Sequence, residues 1–430
     1  MTIDQFAATM RGAGATALYA KPLAPNDNSK NQVYLGPDFA ALNVLPHRAV
    51  VPDPDNPQIF KASVNFAWIA EDGAISPAPQ AQLILYPQYP EVRLGSLLRG
   101  SRGAPAASFA SRDAGRVLFL GIRPDGQILA HLAPHGSQLE RSYVAAPKGQ
   151  VIGVFTELLL HGIDPRTQLL AALRDVHDEG WINSERLDGL GNLLPCNAEN
   201  CGGFTLEAKL GISPNGVCAP DYHGWELKTH QVTNEAAKHS TKPITLMTPE
   251  PTGGLYTNFG GFIRRFGSKA SGKDRYDFTG RHFVCQPLPK TGLHLVLQGF
   301  DAASGKITDA TGGIALLTSK KEVAAIWHYT KLLTNWNKKH AAAAYVLCTK
   351  RDQPRRQYKY GRFVRLGEKT DFIKFLSALD ARKAYYDPGC NLKDASTLRP
   401  TSKKRNQFRI ASNAIDALYE TVTEVDLLNP

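Results

Sequence analysis

Cysteine and long apolar runs are both scarce in this chain of 430 residues. Six cysteines are too few for the dense disulfide framework of a small secreted domain, which favours a reducing compartment. No apolar run approaches the roughly 20 residues that a membrane-spanning helix needs, so we expect no membrane association. The first 22 residues contain no unbroken apolar segment, so we expect no secretory signal and a cytoplasmic location.

Positive charge is concentrated in the C-terminal third of the chain. The whole chain has 50 Lys and Arg against 39 Asp and Glu, a net charge of +11. Residues 1–145 are nearly neutral, with 12 basic and 11 acidic side chains, whereas residues 320–409 hold 22 basic and 7 acidic ones. So local an excess is typical of a protein that binds a polyanion, although a solvent-exposed, lysine-rich helix would have the same composition.

The pattern of apolar residues predicts two domains. The sequence of residues 1–145 predicts a β-rich domain, with short apolar strands at 63–70, 81–87 and 116–122 between Pro and Gly clusters. From about residue 150 to 430, strands alternate with helices, which predicts an α/β domain with a mixed sheet flanked by helices. In this second domain we expect helices at 151–162, 166–180, 203–212 and 320–336, and strands at 221–232 and 242–249.

The segment PDYHGWELKTH, residues 220–230, carries the chemistry. Because side chains alternate along a strand, Glu226, Lys228 and His230 share one face. Asp221 precedes Glu226 by five residues, which would put it on the wrong face of a regular strand. Gly224 lies between them and permits a bend or bulge that returns Asp221 to the same place.

Two carboxylates and a lysine around a divalent ion suit hydrolysis of a phosphodiester. Asp221 and Glu226 would offer oxygen ligands to Mg²⁺, with Mn²⁺ as a possible substitute. Lys228 would orient a water molecule or stabilise the charge that develops on the phosphate. The alternative interpretation is a surface ion pair without a catalytic role, because a Glu-x-Lys triplet on a strand commonly forms one.

The wider string GGFTLEAKLGISPNGVCAPDYHGWELKTH, residues 202–230, resembles the MvaI/BcnI restriction endonucleases, in the MutH-like branch of the PD-(D/E)xK nucleases. That family has a helix with a Thr-Leu-Glu triplet before the Pro-Asp strand and a Gly-[Trp/Ile]-Glu-[Leu/Ile]-Lys strand after it. LMTPEPTGGLY, residues 246–256, is also similar to a family segment. The resemblance spans roughly residues 150–415 and implies a restriction-endonuclease-like fold.

The resemblance also implies roles for individual residues. Asp221 and Glu226 become the metal ligands and Lys228 the catalytic lysine, while Glu207 is a supporting carboxylate and His230 a possible helper. The alternatives are an exposed helix carboxylate for Glu207 and a hydrogen-bonded strand-end histidine for His230. Relatives of this kind act as monomers that cut the two DNA strands in turn, which implies a role in restriction or another antiphage defence.

A zinc site is a competing interpretation of the same region. Cys196, Cys201, Cys218 and His223 have the spacing C-x4-C…C-x4-H, which is within reach of tetrahedral coordination. The spacing lacks the CxxC pairs of a zinc knuckle, and a structural zinc at Cys218 and His223 would crowd the catalytic ion. It would make the chain a zinc-organised RNA-binding protein.

The basic region 320–410 is predicted to bind double-stranded DNA. Residues 350–365 interleave basic and aromatic side chains in a way that suits a phosphate backbone. Arg, Asn and Gln also read base edges in the major groove, and the family carries a similar phrase near its C-terminus. A basic loop that binds phosphates without reading sequence is the alternative for residues 402–410. The DNA-binding candidates are Arg355, Arg356, Lys359, Arg362, Lys403, Lys404, Arg405, Asn406, Gln407 and Arg409.

These observations lead to one main hypothesis and one alternative. The main hypothesis is a monomeric, Mg²⁺-dependent endonuclease of duplex DNA. The alternative is a DNA-binding or DNA-sensing module whose nuclease site is vestigial. The neutral domain 1–145 is an accessory domain in either case, and it would bind a protein partner or a second DNA segment.

Overall fold

The computed structural model describes residues 1–25, 31–146, 148–158, 160, 164–213, 221–337 and 342–429. Within these ranges the chain forms two compact units, Met1–Pro165 and Arg166–Pro430. In the described part of the chain, no helix has the length and apolar character that crossing a membrane requires.

The first unit consists mainly of two β-sheets. A seven-stranded sheet has the strand order β11-β12-β1-β9-β10-β5-β6, and a five-stranded sheet has the order β2-β8-β7-β4-β3. The strands are β1 Ala17–Leu23, β2 Val33–Tyr34, β3 Val51–Pro52, β4 Phe60–Ser63, β5 Asn65–Ile69, β6 Ile75–Pro77, β7 Gln82–Tyr86, β8 Glu91–Gly95, β9 Arg116–Ile122, β10 Gln127–Ala133, β11 Val151–Ile152 and β12 Phe155–Leu158. The helices are α1 Ile3–Gly12, α2 Ala41–Val44, α3 Ala106–Ala110 and α4 Gln138–Ala145.

Helix α1 covers one face of the seven-stranded sheet. The helix begins with a capping box, in which Thr2 and Gln5 satisfy each other's backbone amides. Phe6 and Met10 lie one helical turn apart and pack into a core that includes Phe119 of β9. The predicted strands at 63–70, 81–87 and 116–122 are confirmed as β5, β7 and β9.

The helix predicted at 151–162 is wrong, because this segment contains the hairpin β11–β12. Gly153 adopts a φ of +57° in the turn, a conformation that suits glycine. β12 pairs with β1, opposite Leu18 to Ala20, so the first unit continues to Pro165. A short apolar run such as this one has no periodicity that distinguishes a buried strand from a helix.

The second unit is built from several smaller sheets and five helices among the described residues. Its strands are β13 Ile182–Asn183, β14 Glu185–Leu187, β15 Leu193–Pro195, β16 Glu226–Gln231, β17 Ile244–Met247, β18 Ser268–Lys269, β19 Arg275–Thr279, β20 Leu293–Gln298, β21 Phe300–Asp301, β22 Lys306–Ile307, β23 Gly313–Thr318, β24 Val323–His328, β25 Ala342–Arg351, β26 Gln357–Glu368, β27 Ala384–Tyr386, β28 Gly389–Lys393, β29 Thr401–Lys403, β30 Phe408–Ile410 and β31 Thr421–Asp426. The helices are α5 Pro165–Asp178, α6 Cys201–Lys209, α7 Phe259–Phe266, α8 Tyr329–Asn337 and α9 Phe372–Asp380, with 3-10 turns at Leu255–Thr257 and Ser412–Leu418.

A mixed sheet with the order β13-β26-β25-β16 forms the centre of this unit, with β31 paired to β26. β16 lies at the edge and runs parallel to β25, whereas the other pairs are antiparallel. Leu173 of α5 and Leu206 of α6 pack against one face of the sheet, beside Trp225 and Leu227. The predicted mixed sheet flanked by helices is therefore confirmed.

The helix predicted at 320–336 is only half correct. Residues 323–328 form β24, which pairs with β23, and the helix α8 starts at Tyr329. Val323, Ile326 and Trp327 have the β-branched and aromatic side chains that suit a strand. They pair with β23, whose residues are all buried. This pairing makes the segment a strand, although the spacing of its apolar residues suits a helix.

Candidate active site

Strand β16 presents its polar and apolar side chains to opposite sides. Trp225, just before the strand, and Leu227 belong to the core under α5 and α6. Glu226, Lys228 and His230 occupy the alternate positions. The register with β25 places Lys228 beside Tyr345, which therefore belongs to the same face of the sheet.

A tight turn returns Asp221 to the start of this strand. The backbones of Tyr222 and Trp225 exchange two hydrogen bonds, of 2.9 and 2.8 Å. Between them, His223 and Gly224 adopt φ values of +44° and +88°, as in a two-residue hairpin turn with left-handed central residues. The Oδ2 atom of Asp221 then accepts a hydrogen bond of 2.9 Å from the Leu227 amide, on the outer edge of β16.

Glu226 and Lys228 form an ion pair in which the carboxylate is buried and the ammonium is partly exposed. The Glu226 residue is 2% exposed, and its Oε1 atom accepts a hydrogen bond from the Lys228 ammonium. Burial raises the pKa of Tyr345 to about 12, and the negative charge of Glu226 adds to this shift. The Tyr345 hydroxyl lies 2.9 Å from the Tyr419 hydroxyl, so the carboxylate stands beside a pair of protonated phenols.

His230 lies farther along the same face, with its ring stacked on Tyr345 at 6.2 Å between centroids. Burial, together with the positive charges of Lys228, Arg409 and Lys242, lowers the pKa of His230 to about 4. The imidazole is therefore neutral at physiological pH. Its Nε2 atom is buried and has no hydrogen-bond partner among the described residues.

The structure does not bring Glu207 to the Glu226–Lys228 pair. Glu207 lies on α6 and lines a cavity of about 250 Å³ together with Thr229 and Gln231. These two residues alternate with Glu226 and Lys228 along β16, so Glu207 faces the opposite side of the strand. The expected support of the active site by Glu207 is therefore not direct.

The cysteines do not form the zinc site that the spacing allowed. Cys196 and Cys201 are joined by a disulfide bond, contrary to the reduced thiols expected from the low cysteine content, and the bond removes both thiolates from metal coordination. Cys218 and Pro220 lie outside the described residues. Within the described ranges, no group of three or more His, Cys, Asp or Glu side chains is arranged to hold a metal ion.

Of the three carboxylates predicted for the site, Asp221 and Glu226 could bind a cation, since Glu207 faces the other side of β16. Their hard oxygen atoms fit Mg²⁺, which proteins often hold through one or two carboxylates together with water and substrate phosphate. Both are placed by the same strand, Asp221 on its outer edge and Glu226 on its polar face.

The basic residues of β26 and the segment before it are exposed to different degrees. Arg355 is exposed, whereas Arg356 donates to Asp352 at 2.9 Å and to the carbonyl of Asn197. Lys359 pairs with Glu235 at 2.7 Å, and Arg362 pairs with Asp426 in a two-pronged contact. These ion pairs hold the cations in place at the surface, where a DNA phosphate would compete with the carboxylates.

The C-terminal basic segment divides into an exposed and a buried part. Lys403, Lys404 and Arg405 are exposed, with Lys404 paired to Glu250 at 3.1 Å. Arg409 binds Asp387 at 2.9 Å and the carbonyl of Pro243 at 3.0 Å. Because its charge acts on His230, Arg409 lies near the polar face of β16.

Asn406 and Gln407 are in the protein interior, contrary to the expectation that they contact bases. The Asn406 residue is 2% exposed, and its amide accepts from the Tyr386 hydroxyl at 2.6 Å and donates to the Tyr256 hydroxyl at 2.8 Å. Gln407 is also buried, with its amide 3.3 Å from the guanidinium of Arg405. Both amides therefore stabilise the loop instead of pointing outward.

Three side chains around the polar face were not predicted from the sequence: Tyr345, Tyr419 and Lys242. Tyr345 and Arg365 face each other across β25 and β26, and Tyr419 joins them through its hydroxyl. They come from separate parts of the chain, so no local pattern could have grouped them. Alternation along β25 would have been the available signal for Tyr345 once its pairing with β16 was known.

Comparisons with known proteins place most of the second unit in one family. The model of the MvaI/BcnI restriction endonuclease family matches residues 170–419, more than half of the chain. The solved complex of the restriction endonuclease MvaI with its cognate DNA substrate is 18% identical, with 60% of this chain and 97% of that chain covered and a TM-score of 0.45. The structure of MvaI in the absence of DNA is 16% identical, with coverages of 61% and 98% and a TM-score of 0.35. A comparison with curated proteins found no match.

The family match contains the turn, strand β16 and the exposed basic segment Lys403 to Arg405. It confirms the resemblance that the Thr-Leu-Glu, Pro-Asp and Gly-Trp-Glu-Leu-Lys motifs indicate. The chain therefore belongs to the MvaI/BcnI restriction endonuclease family, whose members are DNA endonucleases.

Proposed function

We propose that this chain hydrolyses phosphodiester bonds of duplex DNA in a reaction that depends on a divalent metal ion. The observation that carries the proposal is the grouping of Asp221, Glu226 and Lys228 by one edge strand and one tight turn. Asp221 and Glu226 would hold the ion, Mg²⁺ with Mn²⁺ as a substitute. When bound, the ion supplies polarisation of the phosphate and a lower pKa for a bound water.

Lys228 stabilises the negative charge of the scissile phosphate. Its ammonium is held against Glu226, on a strand whose apolar side is fixed in the core, so little motion is needed to reach the reacting group. An ammonium beside a phosphate oxygen favours the extra charge of the transition state over the ground state.

His230 contributes as a neutral imidazole. Because its pKa is lowered to about 4, it accepts a hydrogen bond at neutral pH and does not add another positive charge. The stacked Tyr345 ring fixes its orientation. We propose that His230 positions a water molecule near Lys228.

We further propose that the enzyme is a monomer that nicks one strand at a time and serves restriction or antiphage defence in the cytoplasm. One grouping of Asp221, Glu226 and Lys228 per chain supports nicking as the elementary act. The exposed Arg355, Lys403 and Arg405 would contact DNA phosphates. The first unit would act as an accessory domain that binds a protein or a second DNA segment.

Relaxation of supercoiled plasmid tests the proposal. With Mg²⁺ we expect the wild-type protein to produce open-circular DNA before linear DNA, and chelation by EDTA to stop the reaction. We expect Lys228→Ala to lower the rate by about 10²–10³-fold, as for other charge-stabilising groups. Lys306→Ala, at an exposed position of strand β22 and outside the predicted DNA-binding region, should cleave like the wild type.

Binding without cleavage would favour the other function. If the wild-type protein binds duplex DNA with a steep salt dependence but nicks no substrate with Mg²⁺ or Mn²⁺, the chain is a DNA-binding or DNA-sensing module. If cleavage occurs, sequencing the ends produced on a complex DNA gives the recognition rule and the position of each cut.

A further inference from the structure

The first unit contains a cavity of about 240 Å³ that is separate from the polar face of β16. Its lining comes from β1 and β9 of the seven-stranded sheet, from β2 and β8 of the five-stranded sheet and from Phe109 of α3. Leu23 and Val33 form apolar walls, and Tyr34 stands at the exposed side. The unit lies outside the residues that the family model matches, so the family gives this cavity no role.

Lys21 places an ammonium group in this cavity, and none of the described residues pairs a carboxylate with it. The residue is 9% exposed, and among the described residues its Nζ atom donates only to the carbonyl of Pro22, at 3.1 Å. Burial lowers the pKa of Lys21. A buried ammonium that keeps two N–H donors without acceptors among the described residues is costly for the folded protein, and a bound anion would offset that cost.

Arg116 supplies a second, rigidly held cation. The residue is 2% exposed, and its Nε and Nη1 atoms donate to the carbonyls of Asp113, Ser108 and Phe109 at 2.8–3.1 Å. For Nη2, the described part of the chain provides no acceptor. Arg116 lies opposite Leu23 in the β1–β9 register, two residues along from Lys21, so both cations face the same side of the sheet.

Arg93 is the third cation of the cavity, and it is already paired with Glu91 at 2.7 Å. The charge of Asp113 also acts on Arg116, and the charge of Asp38 acts on Tyr34, so Lys21 is the lining cation without a carboxylate partner among the described residues. Ammonium and guanidinium groups are the usual partners of a phosphate monoester.

We propose that this cavity binds the 5′-phosphate of a nucleotide, with the nucleoside along Tyr34 and Phe109. The volume is somewhat below the roughly 300 Å³ of typical small-molecule sites, which suits a ligand of about one nucleotide. Two sources share this chemistry, a free nucleoside monophosphate and the phosphorylated end of a DNA strand. The proposal does not depend on the nuclease activity of the second unit.

Trp68 provides a local probe of binding. It is the only tryptophan of the five that lies in residues 1–165, and its ring packs edge-on against Phe109 at 5.7 Å. The full-length protein is labelled with fluorotryptophan, and the Trp68 resonance is assigned with Trp68→Phe. The protein is titrated with inorganic phosphate, 2′-deoxyadenosine 5′-monophosphate and 2′-deoxyadenosine. EDTA is present throughout, so that the oligonucleotides used in the last titrations are not cleaved.

We expect the monophosphate to shift the Trp68 resonance and to bind at least tenfold more tightly than 2′-deoxyadenosine. Lys21→Met should weaken the binding of the monophosphate at least tenfold. This variant should be as stable as the wild type, because it removes a buried charge and keeps the length of the side chain. Lys61→Met is the matched control, since Lys61 of β4 lies in the same unit and pairs with Asp53.

A short oligonucleotide with a 5′-phosphate, compared with its 5′-hydroxyl twin, distinguishes the two sources. A shift of Trp68 by the phosphorylated oligonucleotide alone identifies a strand end, and a shift by the free monophosphate alone identifies a nucleotide. The proposal is overturned if no probe moves the Trp68 resonance at 10 mM, or if monophosphate and nucleoside bind equally well. It is also overturned if Lys21→Met, or Arg116→Lys where the first variant does not fold, binds like the wild type.

Discussion

Asp221 and Leu227 are joined by a hydrogen bond of 2.9 Å from the Leu227 amide to the Asp221 carboxylate. The bond crosses a turn whose two central residues, His223 and Gly224, both have positive φ. Since β16 lies at the edge of the sheet formed by the described residues, none of their strands pairs with its outer amides, and Asp221 accepts a hydrogen bond from one of them. The position of this carboxylate therefore depends on the conformation of the turn.

Gly224→Ala should lower both stability and cleavage. A Cβ atom at this position would meet nothing within 4 Å, so the cost is the left-handed backbone alone, about 1–2 kcal/mol. A turn that relaxes to negative φ would carry Asp221 away from Leu227. We expect a loss of at least tenfold in plasmid relaxation, measured together with unfolding in urea.

Gly272→Ala separates the two effects. Gly272 also has a positive φ, of +67°, and open space around it, but it lies in the turn between β18 and β19. It should lose a similar amount of stability and retain cleavage at the wild-type rate. Equal losses of cleavage in the two variants would show that stability, and not the placement of Asp221, is responsible.

Local features of the site were predictable from the sequence. Alternation along residues 225–230 correctly predicts that Trp225 and Leu227 are buried and that Glu226 and Lys228 share the other face. The role of Gly224 in a bend also follows from its position, because few other residues adopt a positive φ easily.

Features that depend on tertiary packing were not predictable. From the sequence, Asn406 could equally well contact a base or lie buried in the protein. Its hydrogen bonds with Tyr256 and Tyr386, which are distant in sequence, determine that it is buried. The side of the sheet that Glu207 faces is likewise set by how α6 docks on β16, which helical periodicity does not specify.

His230 should remain neutral throughout the pH range in which the enzyme works. With its pKa lowered from 6.5 to about 4, the native state binds this proton only below pH 4, whereas the unfolded state binds it near pH 6.5. The unfolding free energy should therefore fall as pH decreases from 6.5 to 4, by at most about 3 kcal/mol from this residue. Titration of the His230 imidazole by NMR and urea unfolding at several pH values measure both effects.

His230→Asn provides the assignment and the control for this titration. The variant should lose the part of the acid sensitivity that arises from His230 while it retains the rest. A His230 resonance that titrates near pH 6.5 would contradict the lowered pKa. It would also contradict the proposed role as a neutral hydrogen-bond acceptor.

Asn406→Ala and Arg405→Ala should affect different properties, although the two residues are adjacent. Removing the Asn406 amide leaves the buried hydroxyls of Tyr386 and Tyr256 without these partners, so we expect a loss of about 2 kcal/mol or more in stability. Arg405 is exposed and its guanidinium approaches the Gln407 amide at 3.3 Å, so its removal should cost about 1 kcal/mol or less.

For DNA binding, we expect the larger effect from Arg405→Ala and the smaller one from Asn406→Ala. If Arg405 contacts a phosphate, Arg405→Ala lowers affinity and reduces the slope of log K against log salt by about 1. Asn406→Ala should leave that slope and the cleavage sequence unchanged at temperatures where it is folded. A changed recognition sequence in folded Asn406→Ala protein would instead assign Asn406 to base contact.

Glu157 should make the first unit less stable as the pH rises. It lies opposite Tyr19 in the β1–β12 pair, and burial, with the nearby charge of Asp164, raises its pKa from 4.5 to about 7. Between these values the native state holds a proton that the unfolded state has lost. The contribution of the protonated carboxyl is therefore complete below pH 4.5 and decreases as pH increases through 7, by at most about 3 kcal/mol.

Glu157→Gln should remove this pH dependence, because the amide keeps the shape of the protonated carboxyl and does not ionise. Unfolding is followed at the fluorotryptophan resonance of Trp68, which reports on the first unit alone. We expect the variant to match the wild type at pH 4.5 and to be more stable at pH 8. Asp125→Asn, at an exposed turn of the same unit, should show no such difference. A wild type whose first unit gains stability between pH 5 and pH 8 would show that the carboxylate of Glu157 is the favoured form in the fold.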